Sequence, residues 1–168
     1  MSEKLITEES VTEEYLASFP TKLRYALTNP KYFKRFVSTV CDEYDELLPV
    51  YRAIHRESEV HEDDFISNIE EAELYHRPPY RRENLELHAI SVNEDPQQII
   101  TALDIPNARR PVLGIAVGSM NKEYGPADFK DGKTHHNWYL FNQMNKILKD
   151  EFKVEDLSKF AKNEGDNE

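Results

Sequence analysis

Two stretches decide the fold: Leu85-Glu-Leu-His-Ala-Ile-Ser-Val92 and Val112-Leu-Gly-Ile-Ala-Val117. In the first, Leu85, Leu87 and Ala89 alternate, as the side chains of a strand with one buried face do. The second is a continuous apolar run, the pattern of a strand covered on both faces. Between them, Asp95-Pro96 caps a short helix, Pro96–Leu103, whose apolar residues include Ile99, Ile100 and Leu103. Strand, helix and strand read as a βαβ unit, and the intervening chain is long enough for the crossover that parallel pairing needs.

Parallel pairing has two consequences. Arg81-Arg82 precede the first strand and Arg109-Arg110 the second, so four guanidiniums share one edge of the sheet. Guanidinium suits bidentate carboxylate or phosphate contacts, from the chain's own acidic side chains or from a ligand. The opposite edge, at the carboxyl ends of the strands, is where ligands of open α/β sheets bind. Asn93, Glu94, Gly118, Ser119, Asn121 and Lys122 fall there. Gly114–Gly118 lies inside a strand, so it is not a dinucleotide-binding fingerprint.

Upstream of this unit the chain reads as helical. Ser10–Glu13 has the capping-box form, Pro20 ends a first helix, and Thr21–Thr28 adds another turn or so. Asn29-Pro30 offers a cap followed by proline at the first helical position. Phe33, Phe36, Val37, Val40, Cys41, Tyr44, Leu47 and Leu48 then recur at spacings of three and four, an apolar stripe on one helix face. Pro49 kinks that helix or opens a second, Val50–Glu57, and a further acidic helix is expected at about 62 to 75. Downstream, Asp131-Gly132 marks the turn of a small hairpin from ADFK to KTHH. Trp138, Phe141, Asn145 and Leu148 predict a helix over about 136 to 151.

The expected fold class is α+β: an acidic helical layer packed on a small sheet containing the βαβ unit (strands about 85–92 and 112–117), with the C-terminal helix behind it. Residues 1–162 are read as one compact domain, with a helical part over 10–75, a central α/β part over 76–134 and C-terminal helices over 135–161. Residues 163–168 form a flexible tail. Two strands alone are marginal, so a third strand or a homo-oligomer is expected.

The 168 residues carry 21 basic and 32 acidic side chains, a net charge of −11. Residues 1–75 hold 8 basic against 17 acidic groups, whereas 76–148 hold 9 against 8. An acidic chain is a poor general binder of nucleic-acid backbone or of anionic membrane, since both need positive potential. Its longest apolar run is also far short of a membrane span. One cysteine, Cys41, forms no intrachain disulfide and lies in the apolar stripe, where it fills the core. With no signal segment at the start, the expected location is cytoplasmic.

His135-His136, near Asp128, Asp131 and Lys133, is the best local candidate for acid/base chemistry, although adjacent side chains on a strand point to opposite faces. His76–Arg82, with Tyr80 between Pro79 and Arg81, is a stiff connector or docking strip. HExxH, CxxC, GxSxG and phosphate-loop patterns are absent, and no metal or cofactor is expected. The leading expectation is a non-catalytic binding or regulatory protein. It would recognise a protein partner or small anionic ligand through the Arg/His-rich central region, with Tyr80, the four arginines, Ser119, Asn121 and Lys122 as contacts. One alternative is a small enzyme acting on a phosphate-containing substrate, with arginine charge stabilisation and His135 or His136 as acid/base. The other is an acidic inhibitor that mimics nucleic acid through residues 42–46 and 57–73.

Overall fold

The computed structural model describes residues 3–77, 84–103, 111–129 and 133–158. Among them, helices combine with an eight-stranded antiparallel sheet, an α+β architecture. After strand β1 (Lys4–Leu5) come helices α1 (Glu13–Ala17), α2 (Thr21–Ala26) and α3 (Pro30–Thr39). Local chemistry sets their starts. The Thr12 side chain accepts from the Tyr15 amide at 3.1 Å, and Asn29 Oδ1 accepts from the Lys31 amide at 3.0 Å with Pro30 in the first turn.

The apolar stripe of 33–48 is not one helix. α3 ends at Thr39, and the chain becomes strand β2 (Cys41–Glu43) and then strand β3 (Leu47–Ile54), with a cis peptide at Leu48–Pro49. Residues 10–75 are therefore not wholly helical, and Val50–Ile54 extends rather than coils. Val37, Thr39, Val40 and Val50 are β-branched and weak helix formers. The sheet offers them more: Ile6 N donates to Val40 O at 2.8 Å, and Cys41 pairs with Ala127. A short 3-10 turn (Glu62–Phe65) and α4 (Asn68–Leu74) occupy the stretch expected to be helical, and Ser67 and Glu70 cap each other at 3.2 Å in both directions.

Of the first deciding stretch, Leu85–His88 is a 3-10 turn and only Ile90–Asn93 is strand (β4). Asn84 Oδ1 accepts from the Leu87 amide, and Leu85 is fully buried, which holds the turn against extension. α5 (Gln97–Ala102) follows, started by Asp95 Oδ1 accepting from the Gln97 amide at 3.0 Å. The second stretch is strand β5, Gly114–Met120.

The expected βαβ pairing does not form. β4 and β5 run in the same direction, but β3 stands between them and pairs antiparallel with both. An antiparallel partner supplied by residues read as helix accounts for the difference. The hairpin strands are β6 (Ala127–Phe129) and β7 (His135–Trp138), in register Ala127↔Trp138 and Phe129↔His136; its turn lies outside the described residues. The C-terminal helix is shorter than expected: 135–138 is strand, and α6 covers Met144–Glu151 before strand β8 (Lys153–Val154). Trp138 and Tyr139, adjacent in sequence, are both buried on opposite faces, which a strand permits and a one-sided helix does not.

The strand order is β1-β2-β6-β7-β4-β3-β5-β8. One core lies on the face carrying Val50, Ile54, Val92, Ala116, Ala127 and Trp138, closed by Phe65, Leu148 and Phe152. A second packs α1–α3 through Phe19, Leu23 and Phe36 against Leu85, Ala89 and Tyr139. Phe36 meets the Tyr139 ring edge-on at 5.5 Å. No helix among the described residues is long and apolar enough to cross a membrane.

Cys41 is buried in the first core. Burial, reinforced by the carboxylates of Glu3, Asp128 and Asp42, pushes its thiol up to about 11. That leaves about a hundredfold less thiolate at neutral pH than an ordinary cysteine holds. Iodoacetamide at pH 7.5 is expected to leave Cys41 unmodified in the native protein for hours and to alkylate it fully in urea. Equal rates in both states would show an accessible thiol.

Candidate functional site

Strand register builds one unusual feature. Asp128 pairs with Asn137, and Asn137 with Ser91; one step along, His135 pairs with Asn93, and Asn93 with Tyr51. Residues paired across a sheet, or two apart on a strand, share a face. Asp128, Asn137, Ser91, His135, Asn93 and Tyr51 therefore form a polar patch across β6, β7, β4 and β3, behind the apolar rows of the first core. Asp128, Asn137 and Asn93 are buried there. Asn93 Oδ1 has no hydrogen-bond partner among the described residues. Buried polar atoms left without a partner are costly and uncommon.

Ser91 is exposed, and its Oγ lies 2.9 Å from His135 Nε2. The β3–β4 ladder consists of one pair, Tyr51↔Asn93, and Arg52 bridges the strands where the ladder stops. Its Nη1 donates to Ser91 O at 3.0 Å and its Nε to Asp64 O at 2.8 Å. His135 thus meets the serine side chain on the polar face, whereas Arg52, on the opposite face with Val50 and Ile54, meets only its carbonyl.

His136 points to the other face, as strand geometry requires, and is buried against Phe129 at 5.0 Å. Its Nε2 donates to Glu94 Oε2 at 2.7 Å, which leaves a sealed Nδ1 with no partner among the described residues. A carboxylate on one imidazole nitrogen fixes tautomer and ring orientation. Among the described residues, no group of three or more His, Cys, Asp or Glu side chains is placed to hold a metal ion.

A second feature is an open groove of about 710 Å³ between α3 and the 3-10 turn. Lys31, Tyr32, Lys34, Arg35 and Ser38 line one wall; Asn84, Leu85 and Glu86 line the other. Arg35 is tied to Glu86 by hydrogen bond and ion pair, which holds its guanidinium above its ordinary range and pins α3 to the turn. Lys31 and Lys34 are exposed and make no side-chain hydrogen bond or ion pair with any described residue.

The residues singled out from sequence fare unequally. Tyr80, Arg81, Arg82, Arg109 and Arg110 lie outside the described residues, and the adjacency of strands that placed the arginines on a common edge is replaced by β3. Ser119 lies half-buried in β5. Asn121 Oδ1 accepts from the Glu123 amide at 3.1 Å, closing a turn. Lys122 Nζ meets Glu43 Oε2 at 2.6 Å, so its charge is matched within the chain. His135 and His136 separate to opposite faces. Sequence reasoning missed Ser91, Arg52 and the α3 lysines. Only the β-branched character of Val50 near Arg52 hinted that this arginine sits on a strand. Comparison with protein-family models, with curated proteins and with solved structures finds no match.

Proposed function

We propose that this chain is a binding protein for an anionic ligand or an acidic partner segment, seated in the groove between α3 and the 84–86 turn. One observation supports the reading. On a chain of net charge −11, five of the fourteen described lysines and arginines meet a carboxylate of the chain: Lys22 with Glu73, Arg35 with Glu86, Arg56 with Asp63, Arg77 with Glu71 and Lys122 with Glu43. Lys31 and Lys34 are left facing a groove instead. Two uncompensated ammonium groups beside hydroxyl and amide side chains favour phosphate or carboxylate oxygens. Arg35 is held by Glu86, so it shapes the wall rather than serving as a third free cation.

Calorimetry with inorganic tripolyphosphate, ADP and a glutamate-rich peptide tests this. At least one is expected to bind, more weakly as salt rises. The double substitution Lys31→Gln, Lys34→Gln is expected to weaken that binding about tenfold or more while leaving the melting temperature within a few degrees, since both side chains are exposed. Unchanged affinity in the folded double variant, or no binding of any of the three anions at millimolar concentration, overturns the reading.

A further inference from the structure

We propose that Ser91 is a nucleophile activated by His135, and that the polar sheet face takes an acyl group from an ester. This goes beyond the groove reading and uses none of its residues. The serine is exposed and its Oγ is 2.9 Å from His135 Nε2, within the reach a general base needs. Both residues stand on paired strands, so the contact is set by β4–β7 register rather than by a loop. The carbonyl of Ser91 is held by Arg52 at 3.0 Å, which fixes the serine from its other side. Asn137 stands directly opposite Ser91 and Asn93 directly opposite His135, both buried on the same face. Side-chain amides are among the donors that stabilise a developing oxyanion.

The step balances without a further reactant. Ser91 Oγ attacks the ester carbonyl carbon as its proton passes to His135 Nε2. The tetrahedral intermediate collapses, the bond from carbon to the alcohol oxygen breaks, and the leaving alcoholate takes that proton, or departs as the anion while His135 releases the proton to solvent. Water then attacks the acyl-serine with His135 as base, and Oγ regains a proton as the carboxylic acid leaves.

The probe is p-nitrophenyl acetate at pH 7.5, read by p-nitrophenolate release and by mass spectrometry of the quenched protein. One acetyl group per chain, mapped to the peptide containing Ser91, is expected. Ser91→Ala is expected to abolish it, and His135→Gln to slow acylation about a hundredfold and flatten the pH dependence of its rate. Ser91 is exposed and His135 half-buried, and thermal melts establish that each variant is folded. If His135→Gln fails that control, His135→Asn takes its place. Acetylation elsewhere, no acetylation, or acylation of Ser91 at an undiminished rate in the folded histidine variant overturns the proposal.

Discussion

Replacing Gly125 with alanine is expected to cost about 4 kcal/mol or more of folding stability, enough to leave much of the chain unfolded at 37 °C. Gly125 has φ +152°, backbone that side-chain-bearing residues rarely adopt, and a Cβ there would lie 2.1 Å from Tyr139 O and 2.9 Å from Leu140 Cα. The obstacle is backbone, not the far end of a flexible side chain, so relief requires moving the strand exit at Tyr139. Conformational strain alone is about 1–3 kcal/mol. The damage would spread, because Gly125 O accepts both the Tyr44 hydroxyl at 2.6 Å and Trp138 Nε1 at 3.1 Å inside the first core. Shifting that carbonyl orphans two buried donors, at about 1–3 kcal/mol each. Urea titration followed by Trp138 fluorescence measures the change; a loss below about 1 kcal/mol would mean that the turn yields freely.

Some of this architecture was legible in the residues. Asn29-Pro30 and Asp95-Pro96 carry local signals, a cap and a proline, and helices lie at both; the apolar spacing of Phe65, Ile66, Ile69 and Ala72 marks a stretch that is helical over Asn68–Leu74 after a 3-10 turn. The β6–β7 pairing followed from a turn dipeptide between two short segments. What failed was any inference that needed a partner from far away. Val40, Cys41 and Tyr44 fit a helix stripe as well as they fit a strand, and only the presence of Ala127 and Ile6 beside them decides between the two. Once 41–43 and 47–54 are strands, β3 inserts between β4 and β5, and the arginine edge loses its basis. The candidate site shows the same limit. Ser91 and His135 are 44 positions apart, and no spacing rule links them. Their contact is a product of register, which sequence periodicity does not encode across strands.

Asp64→Ala is expected to cost about 2–4 kcal/mol, although the residue reads in sequence as one more acid in an acidic run. Its side chain has no exposed surface. Oδ1 accepts from the His55 amide at 3.1 Å and Oδ2 from the His61 amide at 2.8 Å, so one carboxylate closes the loop that leaves β3. Hydrogen bonds to a charged acceptor contribute about 1.5–3 kcal/mol each, and truncation also leaves two backbone donors unpaired. Neighbouring Asp63 provides the contrast. It pairs with Arg56 at 2.8 Å and accepts from the Tyr75 hydroxyl at 3.0 Å. The Arg56 side chain is 39% exposed, so Arg56→Gln is expected to cost no more than about 1 kcal/mol. Asp64→Asn should fall between the two, because an amide keeps one acceptor oxygen but turns a donor toward an N–H. The same loop carries the Asp64 carbonyl that receives Arg52 Nε, so loosening it also frees the arginine that steadies Ser91. Urea titration of the three variants should therefore rank them Asp64→Ala, Asp64→Asn, Arg56→Gln, with the first also losing acylation at Ser91 if the nucleophile depends on that support. The reverse order would place the loop's stability in the exposed ion pair rather than in the buried carboxylate.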